Sequence, residues 1–327
     1  VAIPQSTVAS LALRWYAAHK RDLPWRRSRD PYRIWISEIM LQQTRVETVT
    51  PYYERFLKRF PDVAALARAP EAAVLAAWAG LGYYTRARNL HKAALIVALD
   101  GFPRDYAAIR ALPGVGDYTA AAIASIAFGL PHAVLDGNTI RVLARISNER
   151  GDVSTAATKR RLATLAGSLL DRRRPGDFNQ ALMELGATVC LPRSPRCPAC
   201  PLVRLCEARR RGVADELPVK PRKAPPVRIE REFLVIRRAG RILLWKQPSG
   251  FWELPEPAQL PRAGKGEVLA RFRHTITNHH YSVTVLRGSI RRAPAGFVWV
   301  AGAALARITL STLARKALGR QTAAAPH

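Results

Sequence analysis

The chain has 327 residues, with 52 Lys and Arg against 24 Asp and Glu, a formal net charge of +28. At 48% hydrophobic it is no disordered basic tail; its length predicts about two cored domains. Clustered Lys and Arg release condensed counterions from nucleic acid, so a polyanionic partner is expected, with an Arg-rich coding bias as the bland alternative.

Val1-Ala2-Ile3-Pro4 shows no basic region followed by an apolar core, so no secretory signal is expected. From Val8 to about Leu205 apolar residues recur at three and four, which predicts helices. One begins at Leu11 to Tyr16. Others are expected around Tyr32 to Val49, Pro51 to Phe60, Glu71 to Ala77, Ala87 to Leu99, Tyr118 to Phe128, Asn138 to Ser147, Ala156 to Leu170 and Asp177 to Val189. The longest apolar stretch, Thr119 to Leu130, is too short to span a membrane. Asp215 to Pro226 is rich in Pro and charge and reads as the heart of a linker over 212–228. Beyond it, Phe233 to Ile236, Ile242 to Trp245, Tyr281 to Leu286 and Gly296 to Val300 predict strands, with a turn at Gly240 and a closing helix at Leu310 to Leu318. The expectation is a helical domain over 1–211 and a small α/β domain over 229–327.

All four cysteines lie in Cys190-x6-Cys197-x2-Cys200-x5-Cys206. A disulfide-stabilised secreted protein would spread them, so a reducing cytoplasm is expected. Four thiolates in one Pro-stiffened loop can close around one metal centre, either structural zinc or a four-iron cluster.

Leu112-Pro113-Gly114-Val115-Gly116 precedes an apolar helix. Gly allows positive φ and close backbone approach, and the exposed N–H groups of the helix start can bind a phosphate; a tight turn without ligand is the alternative. Glu38 has Ile34 and Leu41 at i−4 and i+3, so it projects from an apolar helix face. Burial favours the protonated form, which a general acid requires; a Glu satisfied by a partner Arg is the alternative. Asp136 stands just before a predicted helix and reads either as an N-cap or as an anion facing a developing positive charge. Glycoside cleavage uses such a pair of carboxylates, one as acid and one for the sugar cation.

Several motifs then occur in order: Leu23-Pro24-Trp25-Arg26, Ser37 to Thr44, Gly80-Leu81-Gly82-Tyr83-Tyr84, Leu112 to Gly116, Leu135-Asp136-Gly137-Asn138, Asn179 to Gly186, and the cysteine loop. Together they resemble the adenine DNA glycosylase (MutY) family of helix-hairpin-helix repair enzymes over almost the whole first 210 residues. The resemblance implies a mainly α fold of two helical subdomains with a [4Fe–4S] loop, plus a C-terminal α/β Nudix-like domain. It implies removal of adenine mispaired with 8-oxoguanine or guanine in double-stranded DNA. It assigns Glu38 as the acid for adenine N7, Asp136 as stabiliser of the sugar cation, and Tyr118 and Asn138 as groups holding that site. Trp25, Arg26 and Glu184 line the adenine pocket by the same match, and Gln43, Thr44, Leu81 and Tyr83 enter the duplex. Gly114, Val115 and Gly116 hold a backbone phosphate, and Cys190, Cys197, Cys200 and Cys206 ligate the cluster. A base must leave the duplex stack to be cut, and inserted side chains fill the gap. No nucleotide cofactor is implied, because protonation makes adenine a better leaving group. Related bifunctional enzymes carry a Schiff-base Lys where Tyr118 stands, so a monofunctional enzyme is expected.

In the second domain Arg241 to Trp245, Phe251 to Pro255 and Phe272-Arg273-His274-Thr275 resemble the family's Nudix-like, 8-oxoguanine-reading domain. No Glu-rich Nudix box is present. Where the family commonly has Phe-Ser-His, this chain has Ile276-Thr277-Asn278. Thr277 keeps a hydroxyl and Asn278 can hydrogen-bond, but Asn cannot take the positive charge available to His. His279 and His280 follow and are candidates to compensate. Three functions stay in view: a monofunctional adenine glycosylase, a bifunctional glycosylase/lyase of the endonuclease III kind, and a non-catalytic metal-stabilised DNA-binding protein. One lesion gives no two-fold symmetry to match, so a monomer acting at the bacterial nucleoid is expected. Residues 229–327 carry 16 basic and 5 acidic residues, a denser charge than residues 1–228 with 36 and 19, so both domains are expected to touch DNA.

Overall fold

The computed structural model describes residues 5–221, 225–276 and 278–322. They fall into two compact units. One holds the chain up to Glu71 and from Tyr83 to 221; the other holds Ala72–Gly82 and the residues from 225 onward. The expected continuous domain over 1–211 therefore differs at Ala72–Gly82, a stretch whose apolar spacing does not mark it off from its neighbours.

Before the strands come α1 (Gln5–His19), α2 (Pro31–Leu41), α3 (Val46–Arg59), α4 (Val63–Arg68), α5 (Glu71–Ala77), α6 (Tyr84–Asp100), α7 (Tyr106–Ala111), α8 (Asp117–Phe128), α9 (Gly137–Ser147), α10 (Ala156–Leu169), α11 (Pro175–Thr188) and α12 (Glu207–Arg210). Asp30, Asp62, Asp105, Asp136 and Thr155 cap α2, α4, α7, α9 and α10 by accepting N–H groups that the helix leaves unpaired. α1, α9, α10 and α11 share a core built on residues such as Leu13, Leu143, Leu162 and Phe178. α8 packs against α2, α7 and α11, and residues 120–124 are buried all round. That burial explains the unbroken apolar run. Among the described residues no helix is long and apolar enough to cross a membrane.

Three expectations shift. The helix read over 32–49 is two helices. α2 stops because the Arg86 guanidinium takes the carbonyls of Ile39, Met40 and Gln42, and Gln43 turns left-handed at φ 57°. The helix read from Pro51 starts at Val46 instead and runs through that proline, which has no N–H to give to the turn before it. The linker read over 212–228 is packed for its first half: Ala214 and Leu217 are buried with Ala208, Arg145 donates to the Leu217 carbonyl, and Val153 N–H donates to that of Val219. A strand already starts at Val227.

The second unit carries β1 (Val227–Arg238), β2 (Arg241–Lys246), β3 (Trp252–Glu253), β4 (Gly264–Ile276), β5 (His279–Ser289), β6 (Phe297–Ala301) and helix α13 (Thr312–Thr322). Strand order is β3-β2-β1-β5-β4, with β6 also on β2. Ala239 and Gly240, both left-handed, make the two-residue turn between β1 and β2. β1 and β5 run parallel, Val227 opposite His279 and Ile236 opposite Gly288. Phe233 and Val235 pack toward Leu313, Ala314 and Ala317 of α13, while Leu234 and Ile236 pack with Leu260 and Leu286. Burial on both faces makes 233–236 read as a solid apolar run. β4 escaped the sequence reading because it is a mostly exposed edge strand with little alternation.

In the α7–α8 hairpin the two glycines differ. Gly114 has φ 78°, and a Cβ there would meet Asn89 Cβ at 2.7 Å; a Cβ at Gly116 would meet nothing within 4 Å. Gly114→Ala is expected to cost about 1 kcal/mol or more and Gly116→Ala much less. Chemical denaturation of the two variants checks this, and equal losses would contradict it.

Candidate active site

A cavity of about 250 Å³ opens in the helical unit between α2, α11, the starts of α8 and α9, and the Pro24–Arg26 turn. Eight of the sequence-predicted residues line it: Trp25, Arg26, Glu38, Thr44, Tyr118, Asp136, Asn138 and Glu184. They come from positions up to about 160 apart in sequence, so only the fold brings them together.

Glu38 projects from α2 and is 5% exposed. Among the described residues no arginine lies at ion-pair distance from it. Instead the Tyr118 hydroxyl donates to its Oε2 at 2.6 Å and also approaches Met183 Sδ at 3.4 Å. Burial pushes the Glu38 carboxyl up to about 7, and the Asp136 charge adds to the rise; the Tyr118 hydrogen bond and Arg26 pull the other way. Burial also holds the Tyr118 hydroxyl well above its ordinary value, so it stays a donor.

Asp136 is the N-cap of α9, the first of its two sequence readings. Its Oδ1 accepts the Thr139 N–H at 2.7 Å, the Thr139 hydroxyl accepts the Asp136 N–H at 2.8 Å, and the helix is capped. Its Oδ2 accepts the Asn138 amide at 3.1 Å on the cavity wall. The cap therefore fixes the carboxylate in place.

Glu184 is fully buried, with Arg21 and Arg26 at 2.7 Å. Burial would raise its carboxyl, but the two guanidiniums outweigh burial and hold it down at about 2. Arg21 was missed by sequence reading; it stands 163 positions from its partner, and no local signal marks it.

The four cysteines lie half-buried in one loop. Burial pushes the Cys200 thiol up to about 12; the Leu202 N–H opposes this, and the other three cysteines add to it. Two buried arginines of α9 face the loop. Arg145, 1% exposed, donates to the carbonyls of Leu191 and Pro192 and lies 3.3 Å from Cys190 Sγ. Arg141 donates to the Cys190 carbonyl at 2.6 Å and to Asn138 Oδ1 at 2.9 Å. Among the described residues neither guanidinium has a carboxylate partner. Buried cations of this kind suit an anionic centre in the loop, and four thiolates on a metal supply one. Among the described residues no three His, Cys, Asp or Glu side chains already converge on one ion position.

The remaining predicted residues stand apart from the cavity lining. Gln43 and Tyr83 are left-handed at φ 57° and 47°, and Tyr83 is 46% exposed. Leu81 is buried in the 72–82 segment. Gly114, Val115 and Gly116 form the α7–α8 hairpin. In the second unit the Asn278 side chain is already used, donating to the Pro225 carbonyl at 3.2 Å, while its own carbonyl accepts the Val227 N–H. Thr277 lies outside the described residues. His279 and His280 open β5, both exposed.

Residues 36–167 match the HhH-GPD superfamily of base excision DNA repair proteins. An adenine DNA glycosylase of Buchnera aphidicola is 39% identical over 247 residues, covering 74% of this chain and 70% of that protein. The chain belongs to the adenine DNA glycosylase family. The human family member is 48% identical over 217 residues, 63% of this chain and 40% of its own length. The matches thus span under half the length of the human and Arabidopsis thaliana relatives. A solved thermostable thymine-DNA glycosylase superposes with TM-score 0.58 at 33% identity, covering 63% of this chain and 97% of that one. A solved endonuclease III at 21% identity and TM-score 0.54 shares the helical fold.

The raised Glu38 carboxyl means the folded state binds a proton more tightly than the unfolded chain, whose Glu titrates near 4.5. Stability should therefore fall as pH rises from about 4.5 to about 7, and Glu38→Gln should remove that part of the fall. Melting curves at pH 5 and 8 check it: the variant should gain on the wild type at pH 8. An identical difference at both pH values would contradict the buried, proton-holding carboxyl.

Proposed function

We propose that this protein is a monofunctional DNA glycosylase that removes adenine paired with 8-oxoguanine or guanine in duplex DNA. The single observation that carries the reading is Glu38: a buried carboxyl poised to hold a proton near neutrality, hydrogen-bonded by Tyr118, sharing one cavity with Asp136. Adenine flipped into the cavity accepts the Glu38 proton at N7. The C–N glycosidic bond breaks, and its electron pair leaves with the base. Asp136, held by Thr139 and Asn138, faces the cationic sugar that remains. Water then attacks the sugar carbon, and its proton returns to the Glu38 carboxylate. Trp25, Arg26 and the Arg-bound Glu184 shape the base pocket.

Tyr118 supports the monofunctional reading, since a phenol cannot form the imine that a lysine would. Duplex DNA is the partner, gripped by the basic surface of a monomer, with Gly116 leaving room for a phosphate at the hairpin. Gln43, Thr44, Leu81 and Tyr83 are assigned to the opened duplex. In the second domain Asn278 is tied to Pro225, so His279 and His280 are the freer candidates for reading the opposite base.

We infer that Cys190, Cys197, Cys200 and Cys206 hold a [4Fe–4S] cluster. When bound, it supplies an anionic anchor for the loop and a counter-charge for Arg141 and Arg145. Protein purified under reducing conditions should be brown, with about four irons per chain; colourless protein with one zinc would overturn the iron assignment.

Single-turnover assays on adenine opposite 8-oxoguanine, guanine, cytosine and thymine, and on thymine opposite guanine, test the activity. Adenine should be released from the first two alone, without strand cleavage. The rate should fall above about pH 7 as Glu38 loses its proton, and Glu38→Gln should lose at least 100-fold. Thymine release would favour the specificity named for the structural relative. An undiminished Glu38→Gln would sink the mechanism.

A further inference from the structure

Beside the catalytic cavity lies a second pocket of about 360 Å³, which shares Arg26, Ile126 and Gln180 with it. Lys20, Arg29 and Arg173 line this pocket. A neighbouring groove of about 720 Å³ shares Arg173 and Arg174 and adds Arg14 and Arg172. The triplet Arg172-Arg173-Arg174 is fixed as a ridge between the two, because Asp171 Oδ1 accepts the N–H groups of Arg173 and Arg174 at 2.9 Å. Arg174 pairs with Asp177. Arg14, Lys20, Arg29, Arg172 and Arg173 are exposed, and among the described residues none has a carboxylate at ion-pair distance.

This face is separate from the hairpin. It touches α8 at Ser125 and just beyond its end at Gly129, about 14–20 Å by helical rise from Gly116. Five unneutralised cations around two joined grooves repel one another, and a multivalent anion relieves that repulsion. Guanidiniums match phosphate oxygens bidentately. The Ser28 hydroxyl, on the same pocket wall, accepts the Asp30 N–H and keeps its own proton to donate. Two grooves joined at one ridge suit a chain of phosphates better than a single ion.

We propose that Arg14, Lys20, Arg29, Arg172 and Arg173 bind consecutive phosphate groups of an extended chain, either a nucleic-acid backbone or a linear polyphosphate. The inference stands on these grooves and does not need the glycosylase reading. The test is the triple variant Arg14→Gln/Arg29→Gln/Arg173→Gln in the full chain, made from exposed residues outside the catalytic cavity. Affinity for a 30-bp undamaged duplex is measured against salt by fluorescence anisotropy, and melting temperature against added tripolyphosphate. If the grooves hold a nucleic-acid backbone, the slope of log K against log salt drops by about 2–3. If they hold a free polyphosphate, the DNA slope is unchanged, and tripolyphosphate raises the melting temperature of the wild type but not of the variant. An unchanged slope together with equal tripolyphosphate responses overturns the proposal. Adenine release at saturating DNA, run in parallel, stays at the wild-type rate in either supporting case. Failure of adenine release in the wild type would strike the proposed function and leave this site standing.

Discussion

The helical unit depends on one helix that serves two distant jobs. α9 is capped by Asp136 on the wall of the cavity and carries Arg141 and Arg145 one turn apart, both buried. A buried guanidinium without a carboxylate is costly unless its hydrogen bonds are filled and its charge is met. Arg145 spends its donors on the backbone at Leu191, Pro192 and Leu217, which folds the cysteine loop and the following segment onto the helix. Arg141 joins the Cys190 carbonyl to Asn138, and Asn138 holds Asp136. The position of the Asp136 carboxylate is thus set through the same hydrogen bonds that seat the loop.

The cavity also shows how environment separates carboxyl groups of like chemistry. Glu38 meets apolar walls, one phenol and the repulsion of Asp136, and its proton is held toward neutrality. Glu184 is buried too, yet it stays ionised because Arg21 and Arg26 bracket it. Burial alone therefore does not decide the charge; the partner does. The division sets a proton-holding carboxyl and an ionised one in the same pocket. Glu184 also costs Arg26 its freedom, since one guanidinium nitrogen goes to Glu184 and another to the Arg21 carbonyl.

Much of this was legible in the residues. The cap at Asp136, the apolar middle of α8 and the glycine hairpin are local signals, and each marks what the structure contains. The apolar run at Phe233 to Ile236 was equally plain because both of its faces are buried. What escaped was set by distant partners. Arg21 is defined by Glu184 and Arg141 by Cys190, and no window of sequence contains either pair. The end of α2 escaped for the same reason, since Leu41 to Arg45 has neither Gly nor Pro, and the helix is stopped by a guanidinium from α6. β4 escaped because an exposed edge strand need not alternate. At Asn278 the loss of a charge was legible, but not that its amide is spent on holding the start of β1.

Arg86 also accounts for the two non-glycine residues held left-handed near the cavity. Its guanidinium closes the carbonyl end of α2, bonds the Thr44 hydroxyl, and lies 5.4 Å from the Tyr83 ring. Gln43 sits between two of these attachments, and Tyr83 beneath the third. Left-handed backbone at such residues costs free energy, on the order of 1–3 kcal/mol each, and persists only where surrounding bonds over-determine it. Here one cation provides that over-determination for both. The outcome is that Tyr83 stands exposed while its neighbours Leu81 and Tyr84 are buried. Through this one side chain the end of α2 is tied to the start of α6.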